Sequence, residues 1–336
     1  MTEDRSSALG APQPSDAPQA AGAIFSPATV DDVSAALAKH SYIADRGLAT
    51  SIFLALKRHK PLLLEGEPGV GKTEVARVLA DLLQTRLIRL QCYEGIDQST
   101  AVYEWNYARQ LLYIRLLDTG ASGENGEHHH AGADMGARLK DVFGPEFLIQ
   151  RPLLEALEAT GGRPPVLLID ELDRSDAEFE AYLLELLSDY QITIPEIGPV
   201  RAKEPPVIVI TSNRTRDIHD ALRRRCLYYW IEYPTLEKEY EIVRARAPET
   251  PDMLARQVVI FVQLLRAEDL FKSPGVAETL DWLGALVALG QTELTEGSAR
   301  DSLGALLKYQ DDTQKVASGG LLGRLVEKAR ATVLKN

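Results

Sequence analysis

Cysteine is scarce in this chain of 336 residues, which carries only Cys92 and Cys226. Two thiols do not make a disulfide framework, so the sequence is typical of a reducing compartment and we expect a cytoplasmic location. Long apolar runs are lacking as well, since no segment reaches the ~18 consecutive apolar residues that a membrane-spanning helix requires. The N-terminal residues begin with acidic side chains and have no apolar centre. We therefore expect neither a membrane span nor a secretory signal.

Positive charge is in deficit, because 37 Lys and Arg residues stand against 49 Asp and Glu residues and the net charge is −12. Proteins that bind nucleic acid usually need a basic surface that displaces counterions from the phosphate backbone. The charge balance therefore favours protein or small-molecule partners, and we expect no nucleic acid among them.

The order of apolar segments predicts an α/β fold. Short, fully apolar runs alternate with helical patterns, which is typical of a parallel sheet covered by helices on both faces. Beyond Pro234 only helical patterns remain, which predicts a second, smaller, all-helical domain. We expect an α/β domain over residues 25–234 and a helical lid over residues 235–336. The predicted strands cover residues 62–64, 87–90, 166–169, 207–210 and 227–231.

Two segments have the composition of loops rather than of core elements. Residues 1–24 are rich in Ala, Pro, Ser and Gly, which predicts a disordered tail. Residues 118–137 are polar and rich in Gly, which predicts a flexible surface insertion. Its tract His128–His130 could ligate a metal, but a solvated loop is the more typical interpretation.

The segment from residue 66 to residue 73 fits the phosphate-loop pattern G-x-x-x-x-G-K-[ST], between a predicted strand and a predicted helix. Glycines let backbone N–H groups turn towards phosphate oxygens, and the helix N-terminus adds partial positive charge. We expect Lys72 to reach the β- and γ-phosphates and Thr73 to ligate Mg²⁺. A chance glycine-rich turn is the alternative. The expected nucleotide-binding residues are Gly66, Glu67, Pro68, Gly69, Val70, Gly71, Lys72 and Thr73.

An acidic pair, Asp170 and Glu171, follows the apolar run that ends at Ile169. Ligands of open α/β sheets bind at the carboxyl ends of the strands, where this pair is expected to lie. We expect Asp170 to bind the nucleotide through the Mg²⁺ ion, directly or through water, and Glu171 to accept a proton from the attacking water or to orient it. The alternative is an acidic helix N-cap.

These motifs and their surroundings resemble AAA+ ATPases. Residues 170–174 (DELDR) look like the Walker B motif and residues 211–213 (TSN) look like sensor 1. Over about residues 40–310 the chain resembles the MoxR branch, and within it the ATPases encoded with carbon monoxide dehydrogenase-type molybdenum enzymes. The resemblance implies an AAA+ core, ATP and Mg²⁺ as cofactors, and ATP hydrolysis. The segments that carry it are 144–157 (GPEFLIQRPLLEAL), 170–189 (DELDRSDAEFEAYLLELLSD), 192–202 (ITIPEIGPVRA) and 221–226 (ALRRRC).

The resemblance gives roles to two further features. Asn213 matches sensor 1, and an amide at the end of a buried strand would hold the attacking water and sense the γ-phosphate; a strand-end Asn in a turn is the alternative. Residues 191–202 alternate as a hairpin does. The resemblance implies that this hairpin faces a central pore and contacts clients, whereas its composition indicates only an exposed hairpin.

Arginines stand at residues 223–225, at the end of a helical pattern and before the run 227–231. Phosphoryl transfer often uses an arginine from a neighbouring molecule, and AAA+ proteins place this finger just before the corresponding strand. By position Arg225 is the first candidate and Arg224 the second; a solvated basic helix end is the alternative. A finger that serves the next subunit implies head-to-tail contacts that close into a ring, and we expect a hexamer, at least when ATP is bound.

Two positions leave questions open. Related proteins often carry Ser-Pro-Arg in the lid, where the arginine is sensor 2, but this chain reads Ser273-Pro274-Gly275. The expected arginine is therefore missing, and another lid residue must contact the nucleotide or lid closure must be coupled differently. Residues 42–44 resemble the stretch that packs on adenine in AAA+ proteins, and a role in the core fits them equally well.

The resemblance implies a client as well as a reaction. It indicates an ATPase that remodels a protein, an apo-metalloenzyme during cofactor maturation, with an adaptor that carries a von Willebrand factor A-domain. The alternative is an AAA+ nucleic-acid motor or loader, which the acidic composition opposes. A regulatory GTPase or small-molecule kinase is a third class, and the chain has no N-K-x-D guanine motif to support it.

Overall fold

The structure is a computed structural model that describes residues 25–120, 142–159 and 162–334. Within these residues the strands are β1 Leu62–Gly66, β2 Leu87–Gln91, β3 Tyr103–Trp105, β4 Leu148–Gln150, β5 Val166–Asp170, β6 Gln191–Ile194, β7 Gly198–Arg201, β8 Val207–Ser212 and β9 Leu227–Ile231. The main sheet has the order β2-β5-β8-β1-β9, and all its neighbouring strands are parallel. The predicted parallel α/β fold is confirmed.

Several of the described helices before residue 235 pack on the two faces of this sheet, and those after it form a helical region with its own core. In the described residues they are α1 Val30–Lys39, α2 Arg46–Arg58, α3 Lys72–Leu83, α4 Gln98–Ala101, α5 Tyr107–Gly120, α6 Pro152–Leu157, α7 Ala177–Asp189, α8 Asp220–Arg223, α9 Leu236–Arg246, α10 Asp252–Arg266, α11 Val276–Ala288, α12 Glu296–Leu306, α13 Gln310–Ala317 and α14 Leu321–Val333. No helix among the described residues is long and apolar enough to span a membrane.

Alternate residues of β1 enter two cores, one on each face of the sheet. Leu63 packs in one cluster with Leu167 and Ile210, whereas Leu62 and Leu64 pack in the cluster on the other face. This explains why the central strands read as continuous apolar runs, because both of their faces are buried. Strand β2 lies at the edge of the sheet and alternates between buried and exposed residues instead.

The central strands extend further than the apolar runs from which they were predicted. Strand β1 continues to Gly66, which pairs with Ile231, and β8 continues to Ser212, which pairs with Glu65. The ladder tolerates polar residues here because backbone groups make its hydrogen bonds. The phosphate loop and the loop that carries sensor 1 therefore begin where β1 and β8 end, at Gly66 and Ser212.

Two antiparallel pairs stand apart from the main sheet, β3 with β4 and β6 with β7. The second pair is the hairpin predicted over residues 191–202, and Ile192 faces Val200 in it. Pro199 is tolerated because a two-stranded sheet consists of edge strands only. That this hairpin faces a pore stays a prediction.

The helical region has its own core around Phe261 and Trp282, whose ring centroids are 4.9 Å apart. The indole N–H of Trp282 donates to Ser302 Oγ at 2.7 Å, so this fully buried side chain has a polar partner. The region is the smaller all-helical part that the sequence predicted after the α/β part.

Two predicted segments can be compared with the structure only in part. The predicted tail, residues 1–24, and the tract His128–His130 lie outside the described residues. The polar insertion was predicted from residue 118, but α5 runs to Gly120, so its first three residues are helical. Helical backbone propagates cooperatively from the apolar turns before it, which explains the longer helix. Residues 121–137 of the insertion are outside the described part of the chain.

Candidate active site

The phosphate loop connects β1 to α3 and is shaped by left-handed backbone. Gly69 has φ 77° and Gly71 has φ 95°, conformations that a residue with a Cβ atom rarely adopts. Gly71 is the residue before Lys72, where α3 begins. The free N–H groups of the first helical turn are therefore at the loop, as an anion site requires.

Lys72 is buried and reaches back across this loop. Its Nζ atom donates to the carbonyl oxygens of Gly66 at 2.8 Å and Glu67 at 2.7 Å. Loss of solvent lowers the pKa of Lys72 to about 8, although nearby carboxylates, Asp173 foremost, act in the opposite direction. The ammonium thus lies inside the loop, where a phosphate would replace its carbonyl partners.

Thr73 and Asp170 come together although they are far apart in the sequence. Thr73 Oγ1 donates to Asp170 Oδ1 at 3.0 Å, and Thr211 Oγ1 donates to the same oxygen at 2.6 Å. The three residues belong to α3, β5 and β8, whose ends meet at the carboxyl edge of the sheet.

This donor set fits Mg²⁺. The described residues contain no cluster of three or more His, Cys, Asp or Glu side chains that would make a metal site on their own. Mg²⁺ in nucleotide sites needs no such cage, because it takes one or two protein oxygens together with water and phosphate oxygens. The Thr73 hydroxyl and the Asp170 carboxylate supply oxygens of this kind.

Glu171 lies directly after β5 and has left-handed backbone, with φ 54°. A residue with a Cβ atom adopts this conformation uncommonly. The carboxylate accepts from Gln91 Nε2 at 3.1 Å, from Arg174 at 3.2 Å and from Asn213 Nδ2 at 3.5 Å. The structure thus brings the predicted base and the predicted sensor 1 residue into contact.

A buried carboxylate holds the loop that carries Asn213. Asp173 accepts from the backbone N–H of Asn213 at 3.1 Å and from the backbone N–H of Thr215 at 2.9 Å. Sequence reasoning missed this role of Asp173, and its place inside the DELDR motif was the available signal. The loop after β8 is therefore fixed to the turn that contains Glu171.

Sequence reasoning also missed Arg89, whose guanidinium contacts Asp170. Its Nε and Nη2 atoms donate to Asp170 Oδ2 at 3.1 Å and 2.6 Å. Arg89 and Gln91 are exposed positions of the alternating strand β2, so they share one face. The sequence of β2 shows the alternation of exposed and buried residues, but it does not show that β2 pairs with β5.

The three consecutive arginines have different surroundings. Arg223 forms an ion pair with the buried Glu65 at 2.8 Å, and Arg225 donates to the carbonyl oxygen of Ala221 at 2.7 Å. Arg224 is exposed, and its side chain makes no hydrogen bond or ion pair with any residue that the structure describes. Of the two predicted finger residues, only Arg224 has an unengaged guanidinium.

The helical region contacts the phosphate loop at the position of the missing sensor 2 arginine. A Cβ atom on Gly275 would lie 2.7 Å from the Pro68 carbonyl oxygen and 2.8 Å from the Gly69 Cα atom. The backbone N–H of Ala277 donates to the Gly69 carbonyl at 3.1 Å. Glu278 caps the start of α11 by accepting from the Gly275 N–H at 2.9 Å. A side chain at residue 275 therefore has no space, which accounts for glycine there.

A cleft of about 350 Å³ lies beside this contact, between the phosphate loop, α9 and α11. Tyr42 and Ile43 line it, and the Tyr42 hydroxyl lies 3.5 Å from the Gly71 carbonyl oxygen. Tyr42 and Ala44 also pack against the core cluster of that side. Of the three residues for which two roles were expected, Tyr42 therefore contacts both the cleft and the core.

A known family model covers the part of the chain that carries this site. Residues 61–226 match the family model described as an AAA domain of the dynein-related subfamily. An uncharacterised protein of Staphylococcus haemolyticus is 23% identical over 259 residues, which cover 75% of this chain and 85% of that protein. An uncharacterised protein of Staphylococcus aureus is 23% identical over 238 residues, which cover 69% of this chain and 77% of that protein.

Among solved structures, the RuvB Holliday junction branch migration motor of Thermotoga maritima is 19% identical, with a TM-score of 0.43. That match covers 80% of this chain and 70% of the RuvB chain. A point mutant of the same RuvB is 18% identical, with a TM-score of 0.44. That match covers 86% of this chain and 76% of the mutant chain. The similarity to the MoxR branch stays a prediction. Residues 61–226 are thus similar to an AAA domain of the dynein-related type, and Thr73, Asp170 and Thr211 meet at the carboxyl edge of the parallel sheet in this part of the chain.

Proposed function

We propose that this protein binds ATP with Mg²⁺, hydrolyses it to ADP and phosphate, and uses the reaction to remodel a protein client. The observation that carries the proposal is the contact between the phosphate loop and the acidic pair, in which Thr73 Oγ1 lies 3.0 Å from Asp170 Oδ1. Lys72 precedes Thr73 at the start of α3, and Glu171 follows Asp170 at the end of β5. Each of these groups has the chemistry that its position in a phosphoryl-transfer site requires.

The chain's own residues divide the work between binding and proton transfer. Lys72 and the N–H groups at the start of α3 bind the β- and γ-phosphates. Thr73 and Asp170 would hold Mg²⁺, which when bound neutralises charge on the phosphate oxygens. Glu171 accepts a proton from the attacking water, and Asn213, in contact with it, orients that water.

Two substitutions test this proposal. Lys72→Ala removes the phosphate-binding cation and abolishes tight ATP binding. Glu171→Gln keeps the shape and leaves binding intact, but lowers turnover by at least ~100-fold, the usual scale for loss of a general base. The matched control is Glu178→Gln, an exposed acid at the start of α7, which keeps the native rate. A Glu171→Gln variant that hydrolyses ATP at the native rate would refute the assignment of the base.

The client is proposed from the MoxR resemblance, as an apo-metalloenzyme presented by an adaptor with a von Willebrand factor A-domain. Glu171→Gln also tests this, because the ATP-bound ring should retain its partners longest. Pull-downs with this variant from the native host, with and without ATP, should recover a metalloenzyme or the adaptor in the ATP arm. Repeated recovery of DNA-associated proteins alone, with filter binding of DNA, would support the nucleic-acid motor instead.

A further inference from the structure

The acceptor positions of Asp170 are all occupied by donors from the chain itself. An ionised carboxylate has about four lone-pair sites, two on each oxygen. Oδ1 accepts from Thr73 Oγ1 at 3.0 Å and from Thr211 Oγ1 at 2.6 Å. Oδ2 accepts from Arg89 Nε at 3.1 Å and Nη2 at 2.6 Å. A Mg²⁺ ion, or the water around it, can reach this carboxylate only if one of these donors leaves.

Arg89 is the donor that is able to leave. Its side chain is 54% exposed, whereas that of Asp170 is 3% exposed. A guanidinium with this exposure stays hydrated when it leaves its partner, so the cost of separation falls on the buried carboxylate, which a metal ion then compensates. The hydroxyls of Thr73 and Thr211 carry no charge that opposes a metal ion, but Arg89 does. A divalent cation and a guanidinium therefore compete for Oδ2.

The pairing has a physical purpose when no metal is bound. A buried carboxylate without a counter-ion is strongly unfavourable, and Arg89 supplies the positive charge from the edge strand. We propose that Arg89 is a displaceable counter-ion of Asp170, which holds this carboxylate until Mg²⁺ replaces the guanidinium and so sets the affinity of the site for the metal. This inference rests on the proposed nucleotide site and adds a positioning residue to it.

The same guanidinium is connected to the predicted base. Arg89 Nη2 also donates to Gln91 Oε1 at 2.5 Å, and Gln91 Nε2 donates to Glu171 Oε2 at 3.1 Å. Arg89, Gln91 and Glu171 therefore form one chain of hydrogen bonds, which joins the metal-binding carboxylate to the predicted base.

The test measures metal binding separately from hydrolysis. The affinity for ADP is measured by calorimetry in EDTA, and Mn²⁺ binding to the ADP-loaded protein is measured by the EPR signal of free Mn²⁺. Arg89→Ala should bind Mn²⁺ about tenfold more tightly than the native chain, the scale of a charge-assisted bond discounted for exposure. Its affinity for ADP in EDTA should not change.

Two further variants keep the experiment decisive. Arg89→Gln retains an N–H donor without the charge, and it should also tighten Mn²⁺ binding. It takes the place of the alanine variant if that variant does not fold. Arg86→Ala is the matched control, because Arg86 precedes the same strand but pairs with the exposed Glu155 at 2.9 Å. Unchanged or weaker Mn²⁺ binding in a folded Arg89 variant overturns the proposal. Failure of the native chain to bind ADP in EDTA would instead count against the nucleotide site itself.

Discussion

The Nη1 atom of Arg225 lies 2.7 Å from the carbonyl oxygen of Ala221, so this guanidinium caps the end of its own helix. Its Nε atom also donates to the Ser188 hydroxyl. A positive charge at a helix C-terminus is favourable to the helix, and this is the structural alternative considered for the arginine cluster. The side chain of Arg224 remains exposed and has no partner among the described residues. We therefore propose Arg224 ahead of Arg225 as the finger that acts on a neighbouring subunit.

The first prediction concerns this finger. Arg224→Ala should retain ATP binding and lose about 10³-fold or more in turnover, because a finger stabilises the charge that develops on the γ-phosphate. Mixing Arg224→Ala with Lys72→Ala should restore part of the activity, since some interfaces then combine an intact nucleotide site with an intact finger. Steady-state ATPase assays measure both effects, and light scattering tests for the hexamer.

Arg225→Ala is the comparison for this experiment. If Arg225 were the finger, as its position before β9 indicates, its alanine variant would show the large loss and the complementation. Subunit exchange has to be verified by labelling. A mixture of Arg224→Ala and Lys72→Ala subunits that exchange but stay inactive would exclude action of Arg224 in trans.

The second prediction concerns the pH dependence of nucleotide binding. The pKa of Lys72 is lowered from its ordinary value of 10.5 to about 8, so its ammonium is lost as the pH rises through about 8. Phosphate binding favours the charged form, so ADP affinity in EDTA should fall above this pH, by up to about tenfold per pH unit. Calorimetry between pH 7 and 9.5 measures this. Lys72→Arg, whose charge persists, should give a flat profile, and a flat native profile would contradict the prediction.

The lowered pKa of Lys72 also determines how the free energy of unfolding changes with pH. Between pH 8 and 10.5 the unfolded chain binds a proton at Lys72 that the folded chain does not. The contribution of this group to the free energy of unfolding therefore rises with pH across that window. Urea titrations at pH 8 and pH 10 measure this for the native chain and for Lys72→Met. Between these two pH values, the free energy of unfolding should rise more in the native chain than in the variant.

The third prediction concerns the glycine at the sensor 2 position. Gly275→Ala should lower the free energy of unfolding by about 1–3 kcal/mol, because the added Cβ meets the backbone of Pro68 and Gly69. It should also weaken ATP binding, because the phosphate loop has to shift. Gly284→Ala is the control, since nothing lies within 4 Å of a Cβ there and it is inside α11. That variant should gain about 0.5–1 kcal/mol. Equal effects of the two substitutions would show that the contact at Gly275 is not tight.

The fourth prediction concerns the buried ion pair of the helical region. Arg266 and Glu239 are joined by two hydrogen bonds of 2.6 and 2.7 Å, and their side chains are 8% and 0% exposed. Arg266 also donates to the Pro274 carbonyl at 2.7 Å, so it holds the segment that precedes α11. Arg266→Ala should lower the free energy of unfolding by about 3–5 kcal/mol, because it leaves a buried carboxylate unpaired.

An exposed pair of the same residue types is the control for that measurement. Arg300 and Glu296 lie one turn apart on α12, with side chains 52% and 51% exposed. Arg300→Ala should change stability by less than about 1 kcal/mol, because exposed ion pairs contribute little. A comparable loss in both variants would mean that the buried pair is not the cause.

The parts of the site that the sequence predicted are those encoded in continuous segments. The phosphate loop needs a strand, glycines and a helix in direct succession, so Lys72 and Thr73 could be placed from spacing alone. Asp170 and Glu171 follow an apolar run that had to be a buried strand. Parallel strands then bring these residues to one edge, which is a rule of the fold class and not of the particular order of strands.

The contacts that sequence reasoning missed depend on which elements are neighbours. Arg89 reaches Asp170 because β2 pairs with β5, and periodicity gives no information on that pairing. The absence of a sensor 2 arginine was visible in the sequence, but its reason was not. Gly275 lies so close to Gly69 that no side chain fits between them, and this distance depends on how α11 packs on the phosphate loop.

Strand β1 lies between β8 and β9, and this position has a consequence during synthesis. Leu62 pairs with Val209 on one side and with Leu227 on the other, so both partners of the strand are made much later. At about 5–20 residues per second, the apolar segment before the phosphate loop waits roughly ten to thirty seconds for its neighbours. Until Ser212 has left the ribosome this segment has neither neighbour, and until Ile231 has left it one edge of β1 stays open. The strand from which the phosphate loop starts is therefore completed only when almost the whole α/β part has been made.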